Sequence, residues 1–218
     1  MNRIAMIVVG LLAATLSTPA KADDLFHWCG GKGLSEACVD WKPVRFNTGV
    51  VKVRIDPKLE HRQEIKQYVI QQANNNFTEV KFLFDGYVAP TSRYRGIYIT
   101  VSSEYPTDAF TKWSKTKDRG SYAEAILVRC NLHPSLAKKN VTSEQLTKLL
   151  VVSFHETLHA LGLGHDSDEH SLMHAGYDPS RVLTAHNIDV VNNLYSGVGI
   201  DLAEVQPYVE DGREVVLY

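Results

Sequence analysis

His155, Glu156, His159 and His165 are the residues of this chain best suited to chemistry, and they fall in one run, His155-Glu156-Thr157-Leu158-His159-Ala160-Leu161-Gly162-Leu163-Gly164-His165. On a helix, side chains four residues apart lie on one face, one above the other. His155 and His159 have that spacing, so both imidazoles can reach one ion at roughly 2.0–2.1 Å. Gly162 stands where the chain must leave the helix, and a left-handed turn is cheap for glycine. Such a turn swings His165 back as a third ligand. Three neutral histidines leave one position open on a tetrahedral zinc, which marks a catalytic rather than a structural site. Water at that position has its pKa lowered towards ~7. Glu156, beside the first ligand, is placed to accept the water's proton and later pass it to a leaving amine.

These residues need a helix beneath them and a sheet to pack it on. Thr142 and Gln145 form a capping-box pair. The apolar run Leu146, Leu149, Leu150, Val152 and Phe154 carries a helix on to Leu161, where Gly162 and Gly164 stop it. A last helix is expected over Ala185 to Tyr195, capped by Thr184. Upstream, Val44 to Ile55 alternates and reads as a strand. Glu60 to Asn74 reads as an amphipathic helix. Strands are expected over Phe77 to Phe84, Arg95 to Ser102 and Ser121 to Cys130. Glu104 to Gly120 is polar and turn-rich and reads as a surface loop. This order points to an α+β domain, a twisted mixed sheet carrying the active-site helix and a C-terminal helix.

Composition sets the frame around that domain. The 218 residues carry a net charge of -2, with 44% hydrophobic and 22% charged residues. That balance suits one globular domain and does not point to nucleic acid as a partner. The chain opens with Met1-Asn2-Arg3, an apolar run from Ile4 to Leu16, and Ala20-Lys21-Ala22. A charged start, a run too short to span a bilayer and small residues at a cleavage site read as a signal peptide. The expected organisation is a signal peptide at 1–22, a leader segment at 23–41 and the catalytic domain at 42–218. No integral membrane segment then remains after cleavage, and a secreted or periplasmic monomer is expected. Export would favour disulfides. Cys29, Cys38 and Cys130 allow three intrachain pairings and leave one thiol over; a Cys29–Cys38 bridge would close a short loop.

The extended histidine motif resembles that of the metzincin metallopeptidases. Ser171-Leu172-Met173-His174 is similar to their methionine turn, with Met173 eight residues beyond His165. Among metzincins the matrixins are closest. His-Ala-Leu-Gly-Leu-Gly-His at 159–165 resembles their wording, and 183–197 resembles their C-terminal helix. Tyr177 stands where matrixins have a tyrosine lining the specificity pocket. Ala175 departs from the proline usual in matrixins, and it excludes the tyrosine that astacins and serralysins carry there.

The resemblance implies a zinc endopeptidase acting on extended protein or peptide substrates. It implies that the strand before the active-site helix is an edge strand along the cleft, with which substrate pairs as an extra strand; Ser121 to Ala125 resembles that strand, with Ala123 and Ala125 as substrate-pocket residues. Glu104 to Gly120 lacks the His/Asp run that holds the matrixin structural zinc and calcium, so one catalytic zinc is expected. Cys29-Gly30 is similar to the cysteine-glycine pair by which matrixin propeptides block the metal, although a plain disulfide there is the competing reading. Asp166 is a candidate to hydrogen-bond near the third ligand from behind, and a solvated carboxylate at an exposed turn is the competing reading. Two rival functions share the motif. One is the same chemistry on a narrower target such as cell-wall peptides. The other is a secreted metal-containing binding module or toxin with narrow or no proteolysis.

Overall fold

Hydrophobic alternation and helix caps account for most of the elements. The computed structural model describes residues 27–28, 42–104, 107–199, 208–210 and 213–215. The strands are β1 (His27–Trp28), β2 (Lys42–Arg45), β3 (Val50–Ile55), β4 (Lys81–Phe84), β5 (Gly96–Val101), β6 (Ala109–Asp118), β7 (Ala123–Leu132), β8 (Tyr208–Glu210) and β9 (Arg213–Val215). The helices are α1 (Arg62–Asn76), α2 (Ser143–Ala160) and α3 (Ala185–Tyr195). The α+β class is the one expected. The cleavage site, the leader segment apart from His27 and Trp28, and the residues Cys29 and Cys38 lie outside the described residues.

Strands β2, β7, β5, β3 and β4 lie side by side and parallel, with β6 antiparallel against β7 and β1 antiparallel against β2. β3 shows the logic of the sheet. Val51, Val53 and Ile55 point into the main core, so the intervening Lys52 and Arg54 point to the opposite face. All three helices feed that same core, through Ile65 and Val69, Leu149 and Phe154, and Val190 and Tyr195. The helices therefore share one face of the sheet.

Two expectations are corrected here. Residues 104–120 are not one surface loop, since 109–118 form the ten-residue strand β6. Its polarity follows from its place: it pairs only with β7 among the described residues, and one of its faces points away from the core. The second correction follows from the first. Ser121 to Ala125 is not the free edge. Ala123 pairs with Asp118 of β6 on one side and with Val44 of β2 on the other, and Ala123 and Ala125 are both buried in the core. Smaller shifts also appear: 44–55 is divided into β2 and β3, and the strand expected from Phe77 begins at Lys81.

Both site-bearing helices open with reciprocal caps. Thr142 Oγ1 accepts from the Gln145 amide at 3.2 Å, while the Gln145 side chain accepts from the Thr142 amide at 2.9 Å. Thr184 and Asn187 make the equivalent pair at the start of α3. α2 ends in a Schellman turn, with Gly162 N–H donating to His159 O and Leu163 N–H to Leu158 O. Gly162 has φ 108, and a Cβ there would lie 2.1 Å from the Val44 carbonyl oxygen. Glycine is thus required twice, by the dihedral and by the close approach of β2.

Candidate functional site

The Schellman turn brings the three histidines of the motif together. The rings of His155 and His159 lie 4.6 Å apart, His159 and His165 4.8 Å, and His155 and His165 5.6 Å between centroids. One ligand atom from each lies within 4.8 Å of the others. His155 Nδ1 meets the Leu172 carbonyl at 2.7 Å, and His159 Nδ1 meets the Leu163 carbonyl at 2.7 Å. A carbonyl can only accept, so Nδ1 carries the proton in both rings and Nε2 keeps its lone pair.

The electrostatics favour the same state. Burial disfavours the charged imidazole and pushes His155 down to about 4, with the neighbouring His165 and Arg181 adding to the shift. His159 is pushed down to about 3, again first by burial and then by His155. His165, on the exposed rim, is also lowered, by partial desolvation and by His174. Three neutral imidazoles converging on one point, two of them fixed in tautomer, are the donor set zinc takes, and the residues present fit that ion.

Glu156 is buried beside His155. Burial raises its carboxyl to about 7, while a hydrogen bond from Thr111 pulls the other way. Thr111 Oγ1 stands 2.6 Å from Glu156 Oε2 and 2.8 Å from the Glu156 carbonyl. A hydroxyl has one proton, and the shorter, charge-assisted contact takes it. The Cys130 thiol, which is free and buried, donates to the Glu156 carbonyl at 3.4 Å. The sequence does not single out Thr111, because its polar, turn-rich segment reads as loop. The signal lay in alternation: Thr111 faces the helices opposite Cys130, while Lys112 faces away opposite Arg129.

Behind the histidines lies the turn bearing Met173, which is fully buried. Asp166 N–H donates to the Met173 carbonyl at 2.9 Å, joining the third histidine's segment to this turn. Ser171 Oγ donates to Asn187 Oδ1 at 2.8 Å and accepts from the Met173 amide at 3.1 Å. Asn187 Nδ2 in turn donates to Asp166 Oδ2 at 3.1 Å. Asp166 thus ties the segment after His165 to the Met173 turn and to α3. Asn187, a buried amide at the start of α3, was not singled out from the sequence.

A cavity of about 360 Å3 opens beside the cluster. Val151, Val152, Leu172 and Tyr177 supply apolar walls, and His155, Glu156 and His165 form one side. The Tyr177 hydroxyl is buried and has no hydrogen-bond partner among the described residues. The structure places Tyr177 in this cavity and leaves Ala123 and Ala125 out of it, in the interior strand β7.

A convergent histidine triad, an adjacent buried glutamate and a buried methionine turn define a metallopeptidase site. The matrixin family model (Peptidase_M10) matches residues 73–196, more than half of the chain, and the chain belongs to that family of zinc-dependent metallopeptidases. No curated protein matches it. Among solved structures, the chain is similar to one titled "GM1 bound form of the ECX AB5 holotoxin", at 15% identity and a TM-score of 0.40, over 67% of this chain and 80% of that one.

Proposed function

We propose that the chain is an exported endopeptidase that holds one zinc ion through His155, His159 and His165 and cleaves extended polypeptides with Glu156 as proton carrier. The observation that carries this reading is the convergence of three neutral imidazoles beside a buried carboxylate in an open cavity. When bound, zinc acts there as a Lewis acid towards the scissile carbonyl and the attacking water.

The protein's own groups do the rest. Leu172 and Leu163 carbonyls hold two imidazoles in the ligating tautomer. Glu156 accepts the proton of the attacking water and delivers it to the leaving nitrogen. Thr111 holds Oε2 of that carboxylate, and Glu156 lines the cavity. β6 has a partner on one edge only among the described residues, so its other edge can pair with a substrate as an added strand. The apolar walls around Tyr177 receive a substrate side chain. Export rests on the signal-peptide pattern at 1–22, with 23–41 as leader and 42–218 as the catalytic domain.

The test is to load the chain beginning at Asp23 with zinc and incubate it with a proteome-derived peptide library, with Glu156→Ala as the control. Cleavage by the parent alone is expected. No cleavage of any peptide or denatured protein at saturating zinc rejects the reading.

A further inference from the structure

A net charge of -2 conceals a strong segregation of charge. Strand alternation and pairing place Lys52 and Arg54 of β3, and Arg129 of β7, on the sheet face turned away from the helices. Lys112, Lys115 and Lys117 of β6 stand opposite Arg129, Leu127 and Glu124, and so share that face. Arg93, Arg95 and Arg119 border a recess of about 1090 Å3 on it, together with Lys52 and Arg54.

Acidic groups neutralise only part of this charge. Arg54 Nε meets Asp85 at 2.6 Å. Arg95 and Arg119 share Glu124, whose side chain is only 1% exposed. Lys112 meets Glu104 at 2.9 Å. Among the described residues the Lys115 ammonium meets only the Ser92 carbonyl, at 3.2 Å. Lys52, Arg93 and Lys117 have no partner among the described residues. Aromatic rings lie among the cations, with the Arg54 guanidinium 4.3 Å from the Tyr94 ring centroid and that of Arg129 6.0 Å from Tyr98.

Lysines along an exposed edge strand guard against strand-to-strand aggregation, and that suffices for β6. It does not explain Lys52, Arg54 and Arg129, which sit on interior strands. Like charges gathered on one face cost self-repulsion unless a partner of opposite sign uses them.

We propose that this face is an exosite for acidic stretches of the polypeptides the enzyme cleaves. The choice of partner rests on the peptidase reading above, and on continuity: Lys112 of the basic face and Thr111, which contacts Glu156, are consecutive residues of β6. A substrate held on the basic face is therefore tethered to the strand that borders the catalytic carboxylate. Such binding is electrostatic and weakens as salt shortens the screening length, about 8 Å at physiological ionic strength.

Two readouts separate this proposal from the peptidase reading. The first is fluorescence anisotropy of the zinc-loaded chain with labelled oligoglutamate, a heparin oligosaccharide and duplex DNA of matched charge. Saturable binding that is tightest for oligoglutamate, and at least tenfold weaker in Lys52→Glu/Arg93→Glu, is expected. No saturable binding of oligoglutamate, or tighter binding of heparin or DNA, overturns the proposal. The second is cleavage of one neutral core peptide with and without an oligoglutamate extension. The extension should lower KM about tenfold at low salt in the parent and leave it unchanged in the double variant, with core cleavage equal in both. Equal KM values with the core still cut overturn the exosite and spare the peptidase reading. Failure to cut either peptide overturns the peptidase reading, while the anisotropy still decides the exosite.

Discussion

The Thr111 hydroxyl donates to Glu156 Oε2 at 2.6 Å across the junction between β6 and α2. The edge strand of the sheet thereby holds the carboxylate assigned to proton transfer. Thr111→Val removes that donor while keeping the branched shape, and a hydrogen bond to a charged group is worth about 1.5–3 kcal/mol. We expect kcat to fall about tenfold or more, with zinc content and KM little changed and Thr111→Ser restoring most of the rate. An unaltered kcat in Thr111→Val would show that the contact positions nothing.

Glu156→Ala should retain zinc and lose hydrolysis. Positioned acid–base groups contribute about 10²–10⁴ in rate, and the ligand atoms belong to other residues. Metal analysis and peptide turnover on one preparation provide the check, and turnover near the parental level would refute the role given to Glu156.

Gly162→Ala meets two obstacles, a φ of 108 and a backbone oxygen 2.1 Å from the new methyl. Substitution at an incompatible glycine costs more than about 1 kcal/mol. A lowered Tm and weakened zinc binding are expected together, because this turn carries both the Leu163 carbonyl that orients His159 and the path to His165. A parental Tm would mean that β2 moves aside freely.

Asn187→Ala breaks the bonds to Ser171 and Asp166 and removes half of the α3 cap. Groups that orient metal ligands from behind typically account for 10–100-fold in affinity. Competition against a chromogenic chelator should show about tenfold weaker zinc binding. Equal affinity would confine Asn187 to capping the helix.

Chelation should lower Tm and abolish cleavage together, with one zinc restoring both. A ligand bound only by the folded state stabilises it by mass action. A stoichiometry of two zincs per chain, measured by elemental analysis, would refute the single-ion assignment.

The local grammar of the chain was legible without the fold. The i, i+4 histidines, the adjacent glutamate, the capping pair Thr142 and Gln145, and the glycine that ends the helix all act within a few residues. So the metal cluster, the helix beneath it and the family could be read from residues alone. What lay beyond reach was pairing between distant segments. β6 looked like a loop because an edge strand with one face turned from the core needs few apolar residues. With β6 unseen, β7 was mistaken for the edge, and Ala123 and Ala125 were placed at the cleft rather than in the core. Only the tertiary structure set Thr111 against Glu156, Asn187 against Asp166, and Lys112 of β6 beside Arg129 of an interior strand. Those relationships join residues up to 45 positions apart in the first pair alone. They come from sheet register and helix packing, whereas the histidine spacing follows from the 3.6-residue turn of a single helix.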